Sequence, residues 1–439
     1  MNRKHEMIIR GGTCVTDKKT GEADIGIIGG KIASVGDLSQ ADADKTLSAR
    51  GLHILPGVID TQVHFREPGL VHKEDLASGS LAAVMGGVTA VFEMPNTNPP
   101  TVNEKRLKDK LAAAKGRMWC DHAFYIGASE ENAVELARLE KLPGCCGVKV
   151  FMGASTGTLL VPDDETLLKV LKSGKRRVAI HSEDQDRLQA RLGKRVADDP
   201  ASHPVWRDVE SAVRSTERLL KLAQVAKRPV HVLHVTTADE ILILAKHKKF
   251  ATVEVTPQHL SLFAPDCYQR LGTYAQMNPP IRDESHLEGL WRGIADGTVD
   301  VIGSDHAPHS IEEKERSYPE SPSGMPGVQT LLPLMLNHLA EGRLDLQRLI
   351  ALTSTNAHRI FGLKTKGAIE KGKDADFTIV DLKAQWRIDK SWLKSKCKWS
   401  PFDGMEITGR PVYTVLRGRP VMRNGEIKGE AKGRPLRFK

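Results

Sequence analysis

The sequence predicts an α/β chain: a (β/α)8 barrel of the TIM type with a small β-sandwich domain built from both termini. Three observations carry this expectation. Short apolar runs alternate with helical stretches through the middle of the chain. Both ends are rich in β-formers broken by turn residues. The 439 residues accommodate one barrel of about 250 residues and a smaller unit beside it.

At the N-terminal end, Ile25-Gly26-Ile27-Ile28 and Lys31-Ile32-Ala33-Ser34-Val35 flank Gly29-Gly30, a tight-hairpin signal. At the other end, residues 375–380 and 412–416 are β-rich and separated by turn residues. Neither end holds enough strands to bury a core alone. Residues 1–56 and 364–439 are therefore expected to form one composite β-sandwich domain, with the barrel over 57–363. Barrel strands are expected at 54–59, 88–94, 122–126, 148–151, 178–180, 230–233, 251–255 and 299–302. These runs are continuous rather than alternating, which suits parallel strands covered on both faces. Helices are expected at 74–85, 103–114, 163–171, 208–226, 239–248 and 286–295.

Composition removes several functions. The 64 basic and 55 acidic side chains leave a charge of +9, but the basic residues are scattered and aromatics are 5%. That reads as a solvated basic surface, not a nucleic-acid face with stacking platforms. No apolar run reaches the ~18 residues of a membrane span, and MNRKHEMIIRGG lacks the apolar stretch of a signal peptide. The six cysteines include no C-x-x-C pair and read as reduced thiols. The expectation is a cytoplasmic protein without nucleic-acid or membrane partners.

In a barrel of this kind, catalytic groups come from the C-terminal ends of several strands. Ligand-type side chains stand at six or seven of the eight expected ends. The first run leads to Asp60, Gln62, His64 and Arg66, the second to Asn96, and the fourth contains Lys149. The fifth ends in His181-Ser182-Glu183-Asp184 and the sixth in His234. The seventh leads to Glu254 and His259, and the eighth to Asp305, His306 and His309. Imidazoles with carboxylates and no thiolates suit zinc or a similar borderline metal in an open site. Such a metal lowers the pKa of bound water and readies it to attack a carbonyl. Asp305 is placed to accept and return the proton. Arg66 follows His64 by two residues, so on a continuing strand both point to one side. A guanidinium there suits a small anionic substrate. Arg66 has a second reading, an ion pair with Glu67 or another neighbouring carboxylate. Lys149 has one too, a snorkelling or salt-bridged lysine.

The segments DTQVHFREPGL, EMPNTNP, KVFMGAS, HSED, HVLHVTT, EVTPQHL, QMNPPIR and IGSDHAPH resemble the successive motifs of dihydroorotases within the cyclic amidohydrolase superfamily. KGKDADFTIVDL resembles part of the β-sandwich that accompanies the barrel there. The resemblance implies zinc, one or two ions per chain, on His64, Lys149, His181, His234 and Asp305, with Lys149 carboxylated to a bridging carbamate. It implies reversible cyclisation of N-carbamoyl-L-aspartate to L-dihydroorotate in pyrimidine synthesis, with Asp305 as the catalytic acid/base. Arg66, Asn96 and His309 would bind the substrate carboxylate, Asn278 the ring amide, and the backbone of Ser323 and Gly324 the pyrimidine edge. A homo-oligomer, a dimer, belongs to the same expectation. The nearest alternatives are another cyclic amidohydrolase, acting on hydantoins or allantoin, and a non-catalytic partner of aspartate transcarbamoylase. One departure stands out: the family's first motif is D-x-H-x-H, and here its first histidine position is Gln62. A weak but sufficient ligand, a single-zinc enzyme and an inactive scaffold are the three outcomes open. Residues 153–157 have two readings, a lid or a plain surface loop.

Overall fold

The computed structural model describes residues 4–155 and 159–439. Its centre is an eight-stranded parallel sheet whose spatial order follows the chain. The strands are β1 (Val58–Val63), β2 (Val88–Glu93), β3 (Asp121–Gly127), β4 (Cys145–Phe151), β5 (Val178–His181), β6 (Val230–Val232), β7 (Ala251–Val255) and β8 (Val301–Ile302). The sheet curls until its ends meet: Val63 bridges His306, and the His64 N–H donates to the His306 carbonyl at 2.7 Å. Every residue of the eight strands is buried, as continuous apolar runs require when helices cover the outside and side chains fill the inside.

The helices begin where side-chain acceptors precede them. Asp75, Asn103, Asp163 and Asp208 each accept a backbone N–H in the first turn of the helix that follows. The helix expected at 239–248 runs Ala238–Ala245, and that expected at 286–295 runs Glu284–Ala295. Among the described residues, no helix is long and apolar enough to cross a membrane.

Both termini build a second, nine-stranded and mostly antiparallel sheet. Its hairpin turns at Gly29 and Gly30, whose φ of 60° and 71° suit a primed two-residue turn. Ile9, Ile25, Ile27, Ile54, Phe377 and Val415 fill its core.

The first apolar run is not one strand. His53–Pro56 pairs with Phe377–Arg387 in the terminal sheet, and Val58–Val63 opens the barrel. Gly57 divides them; a Cβ there would sit 2.3 Å from Thr89 Oγ1. Apolar periodicity cannot mark a change of sheet inside one buried run. The chain's end also returns to the barrel, where Leu436 donates its N–H to His122 O at 2.8 Å and Phe438 stacks edge-on with Phe92.

Candidate active site

The strand ends converge on a cavity lined by Gln62, His64, Lys149, Phe151, Ser155, His181, His234, Asn278, Asp305, Ala307, Ser323 and Gly324. Lys149 points inward from β4, is 1% exposed, and its Nζ has no hydrogen-bond partner among the described residues. It rests 4.4 Å from the Phe151 ring centroid. Burial pushes its pKa down to about 7, against the pull of Asp305 and Glu254. The second reading of Lys149 as a salt-bridged lysine thus has no ion pair behind it.

His181 ends β5, and its Nε2 lies 2.9 Å from Glu183 Oε2. Arg207 clamps that carboxylate, with Nε 3.1 Å from both oxygens. Burial raises the Glu183 pKa, but Arg207 and His181 outweigh it and hold the group well below the usual carboxylate range. An ionised carboxylate only accepts, so His181 carries its proton on Nε2 and turns a lone pair out at Nδ1. That Nδ1 faces His234 Nε2 at 3.1 Å. The other His234 nitrogen, Nδ1, is buried without a partner among the described residues.

Across the cavity, His64 Nδ1 lies 2.8 Å from Asn96 Oδ1, and His64 Nε2 lies 3.2 Å from Asp305 Oδ1. A carbonyl oxygen only accepts, so Nδ1 bears the proton and a neutral ring aims its Nε2 lone pair at Asp305. Burial favours the neutral ring, although Asp305 pulls the other way. Asp305 also accepts from Gln62 Nε2 at 2.9 Å, while Gln62 Oε1 is buried without a partner. Burial opposes ionisation of Asp305, but His64, His234 and Lys149 beside it hold its pKa well below the usual range.

The His64 Nε2 lone pair thus faces the Asp305 carboxylate at 3.2 Å, beside a buried amine, the His234 Nδ1 and an amide oxygen that have no partners among the described residues. Buried polar atoms are rarely left so. Such donors suit divalent cations, so His64, Lys149, His181, His234 and Asp305 fit a metal by the chemistry of the set. The other acidic cluster, Asp121, Asp374 and Asp376, does not: Lys366 Nζ pairs with all three carboxylates and Arg417 with Asp121.

Arg66, Asn96 and His309 stand behind the lining. Arg66 is 2% exposed, donates from Nε to Pro308 O at 3.2 Å, and places Nη2 3.3 Å from His309 Nε2. Burial lowers its pKa to about 10, which leaves it charged at neutral pH. It is not spent on Glu67, which Arg117 takes at 2.6 Å and 2.9 Å. Strand alternation does not place Arg66, because β1 ends at Val63 and Arg66 has a φ of 63°. His234 and Asp305 are left-handed too, at 37° and 42°. Such conformations cost non-glycine residues energy, and here all three fall at strand ends around one cavity.

Asn278 Oδ1 lies 3.0 Å from His203 Nε2, which also reaches Met277 O at 3.1 Å and Ser323 Oγ at 3.4 Å. Acceptors surround that nitrogen, so it bears the proton, and the Asn278 carboxamide is oriented with its oxygen toward His203. Ser323 O faces His309 Nε2 at 3.1 Å, and the Gly324 N–H is committed to Gln276 O at 2.8 Å. Only glycine fits at 324: its φ is 144°, and a Cβ would lie 2.3 Å from Ala307 O. Of residues 153–157, Ser155 lines the cavity and Ala154 N–H donates to Gln185 Oε1 at 2.7 Å. Thr156 and Gly157 lie outside the described residues.

Sequence reasoning gave no role to Glu183, Arg207, His203 or Glu254. Glu254 lies beneath the site, accepts from Thr61 Oγ1, and has its carboxyl pushed up to about 8 by burial and the nearby Asp305, against the Thr61 bond. Glu183 had a signal, its place two residues after His181; Arg207 and His203 had none, since tertiary packing alone brings them in.

The model of the amidohydrolase family matches residues 53–421. The chain is 36% identical over 429 residues to a dihydroorotase of Pyrococcus furiosus, covering 97% of this chain and 95% of that one. It is 33% identical over 451 residues to an allantoinase of Deinococcus radiodurans, covering 98% of each. Among solved structures, the L-hydantoinase (dihydropyrimidinase) of Arthrobacter aurescens superposes with a TM-score of 0.94 at 30% identity, over 98% of this chain and 99% of that one.

Proposed function

The chain belongs to the amidohydrolase family, and within it we propose that it is a metal-dependent dihydroorotase, interconverting N-carbamoyl-L-aspartate and L-dihydroorotate in pyrimidine synthesis. The observation that carries this reading is Arg66, a buried, charged guanidinium whose Nη2 has no carboxylate partner among the described residues and which stands beside His309. A substrate carboxylate supplies that partner. Hydantoin and allantoin carry none and leave a buried cation unpaired, a costly arrangement.

His64, Lys149, His181, His234 and Asp305 would hold the metal, and zinc suits this donor set. When bound, the metal supplies Lewis-acid polarisation of water and of the scissile amide carbonyl. Lys149, whose pKa burial brings down to about 7, supplies a neutral amine at neutral pH that can add to carbon dioxide: its nitrogen bonds the carbon, one proton leaves, and the product is a carbamate with two acceptor oxygens. Glu183 holds the His181 tautomer that such a site needs. Arg66, His309 and Asn96 take the substrate carboxylate, and the Asn278 amide N–H groups reach the ring. Asp305, ionised in the free protein, receives the proton lost from water on ring opening and returns it to the departing ring nitrogen. On ring closure the same proton runs the other way.

The second reading, a hydantoinase or allantoinase, is favoured by the likeness to the Arthrobacter aurescens structure. Purified protein supplied with zinc and bicarbonate, assayed in both directions, separates enzyme from scaffold. Conversion of either substrate is the expected result; no conversion at any zinc concentration overturns the dihydroorotase reading.

A further inference from the structure

His309 has a neighbour at every ring nitrogen, and the neighbours disagree about where its proton belongs. At Nε2 lie Arg66 Nη2, 3.3 Å away, and Ser323 O, 3.1 Å away. At Nδ1 lie Lys73 Nζ, 3.1 Å away, and Glu313 Oε2, 3.5 Å away. Lys73 is anchored by a 3.0 Å ion pair to Glu313 Oε1, and Glu313 in turn accepts the Ser310 N–H in the capping box of helix Ile311–Lys314. Burial, together with Arg66, Lys73 and Lys314 and against the pull of Glu313, pushes the His309 pKa down to about 3. The ring is neutral at pH 7 and holds a single N–H.

Two tautomers follow. With the proton on Nδ1, the ring donates to Glu313, its N–H crowds the Lys73 ammonium, and its Nε2 lone pair accepts from Arg66 while facing the Ser323 carbonyl. With the proton on Nε2, Nδ1 accepts from Lys73 and Nε2–H donates to Ser323 O. An ammonium has donors only, and a carbonyl oxygen only accepts, so both close contacts demand the second arrangement. The Nδ1–H form gains the longer contacts, 3.5 Å to Glu313 and 3.3 Å to Arg66, and loses both 3.1 Å ones.

We propose that Lys73 is a positioning residue that fixes His309 as the Nε2–H tautomer and so keeps Arg66 Nη2 unspent for the substrate carboxylate. The inference rests on the carboxylate-binding reading of Arg66 and His309. In this state His309 spends its one N–H on Ser323 O and offers Arg66 no lone pair, so the Arg66 Nη2 N–H groups stay available to a carboxylate. Without Lys73 the proton moves to Nδ1 toward Glu313, Nε2 takes up the Arg66 N–H, and the clamp closes on itself.

The test uses zinc-loaded full-length protein labelled with 15N-histidine, with the His309 signals assigned by loss in His309→Gln. Long-range 1H–15N correlation is expected to show Nε2 protonated and Nδ1 bare in the wild type and in Lys73→Arg, and the reverse in Lys73→Met. Steady-state kinetics with dihydroorotate are expected to show KM about tenfold higher in Lys73→Met, kcat within about twofold, and most of the loss recovered in Lys73→Arg. A wild-type ring protonated on Nδ1 overturns the proposal, as does a Lys73→Met protein with unchanged ring and KM. The ring measurement needs no substrate. A wild type inert toward dihydroorotate but protonated on Nε2 would therefore sink the dihydroorotase reading and leave the role of Lys73 in setting the tautomer.

Discussion

Gln62 donates its side-chain N–H to Asp305 Oδ1 at 2.9 Å, and its own carbonyl oxygen is buried with no partner among the described residues. An amide has one donor end and one acceptor end, and a carboxylate accepts only, so this contact turns Nε2 toward Asp305. Gln62 here serves Asp305 as a hydrogen-bond donor. An imidazole at this position would offer a stronger lone pair for a metal.

Gln62→His is therefore expected to raise the metal bound per chain, with turnover equal to or above that of the wild type. Elemental analysis of protein dialysed at matched zinc concentrations checks this. An unchanged metal content would mean that residue 62 does not face the metal.

The His181 tautomer depends on Glu183. Glu183→Gln retains the size of the side chain and removes the charge that both His181 and Arg207 use. Zinc affinity is expected to fall about 10–100-fold, read by competition with a chromogenic chelator. Wild-type affinity in the variant would remove Glu183 from the account.

Much of this centre was legible in the residue order. His64, Lys149, His181, His234 and Asp305 each fall inside or just after an apolar run, and parallel barrels gather such ends at one mouth. Position along a run says nothing of backbone hand, however. The left-handed turn at Arg66 was invisible, as was the division of the first run at Gly57. Arg207, His203 and Lys73 act through contacts between distant segments, such as the 236 residues separating Lys73 from His309. No local pattern encodes those.

Lys314 allows a pH test away from the metal ligands. It is fully buried, donates to Pro322 O at 2.8 Å, and burial lowers its pKa to about 7, against the attraction of Glu313. Its unfolded value is about 10.4. Between these values the unfolded chain binds the extra proton, so raising the pH through this window stabilises the fold. Urea midpoints at pH 7, 8 and 9 should rise for the wild type relative to Lys314→Met. A falling difference would contradict the assignment.

Arg66→Ala should lower kcat/KM for dihydroorotate by about three orders of magnitude or more, since it removes a buried charge-assisted pair. Arg66→Lys should recover only part of this, because an ammonium cannot form two parallel hydrogen bonds. Unchanged turnover in Arg66→Ala would show that the carboxylate binds elsewhere.

The most direct test is a side-by-side measurement of kcat/KM for zinc-loaded wild type with L-dihydroorotate, hydantoin and allantoin. The buried guanidinium predicts efficient turnover of dihydroorotate and at least about a hundredfold less of the two neutral rings. Turnover of hydantoin or allantoin with dihydroorotate left intact would contradict it.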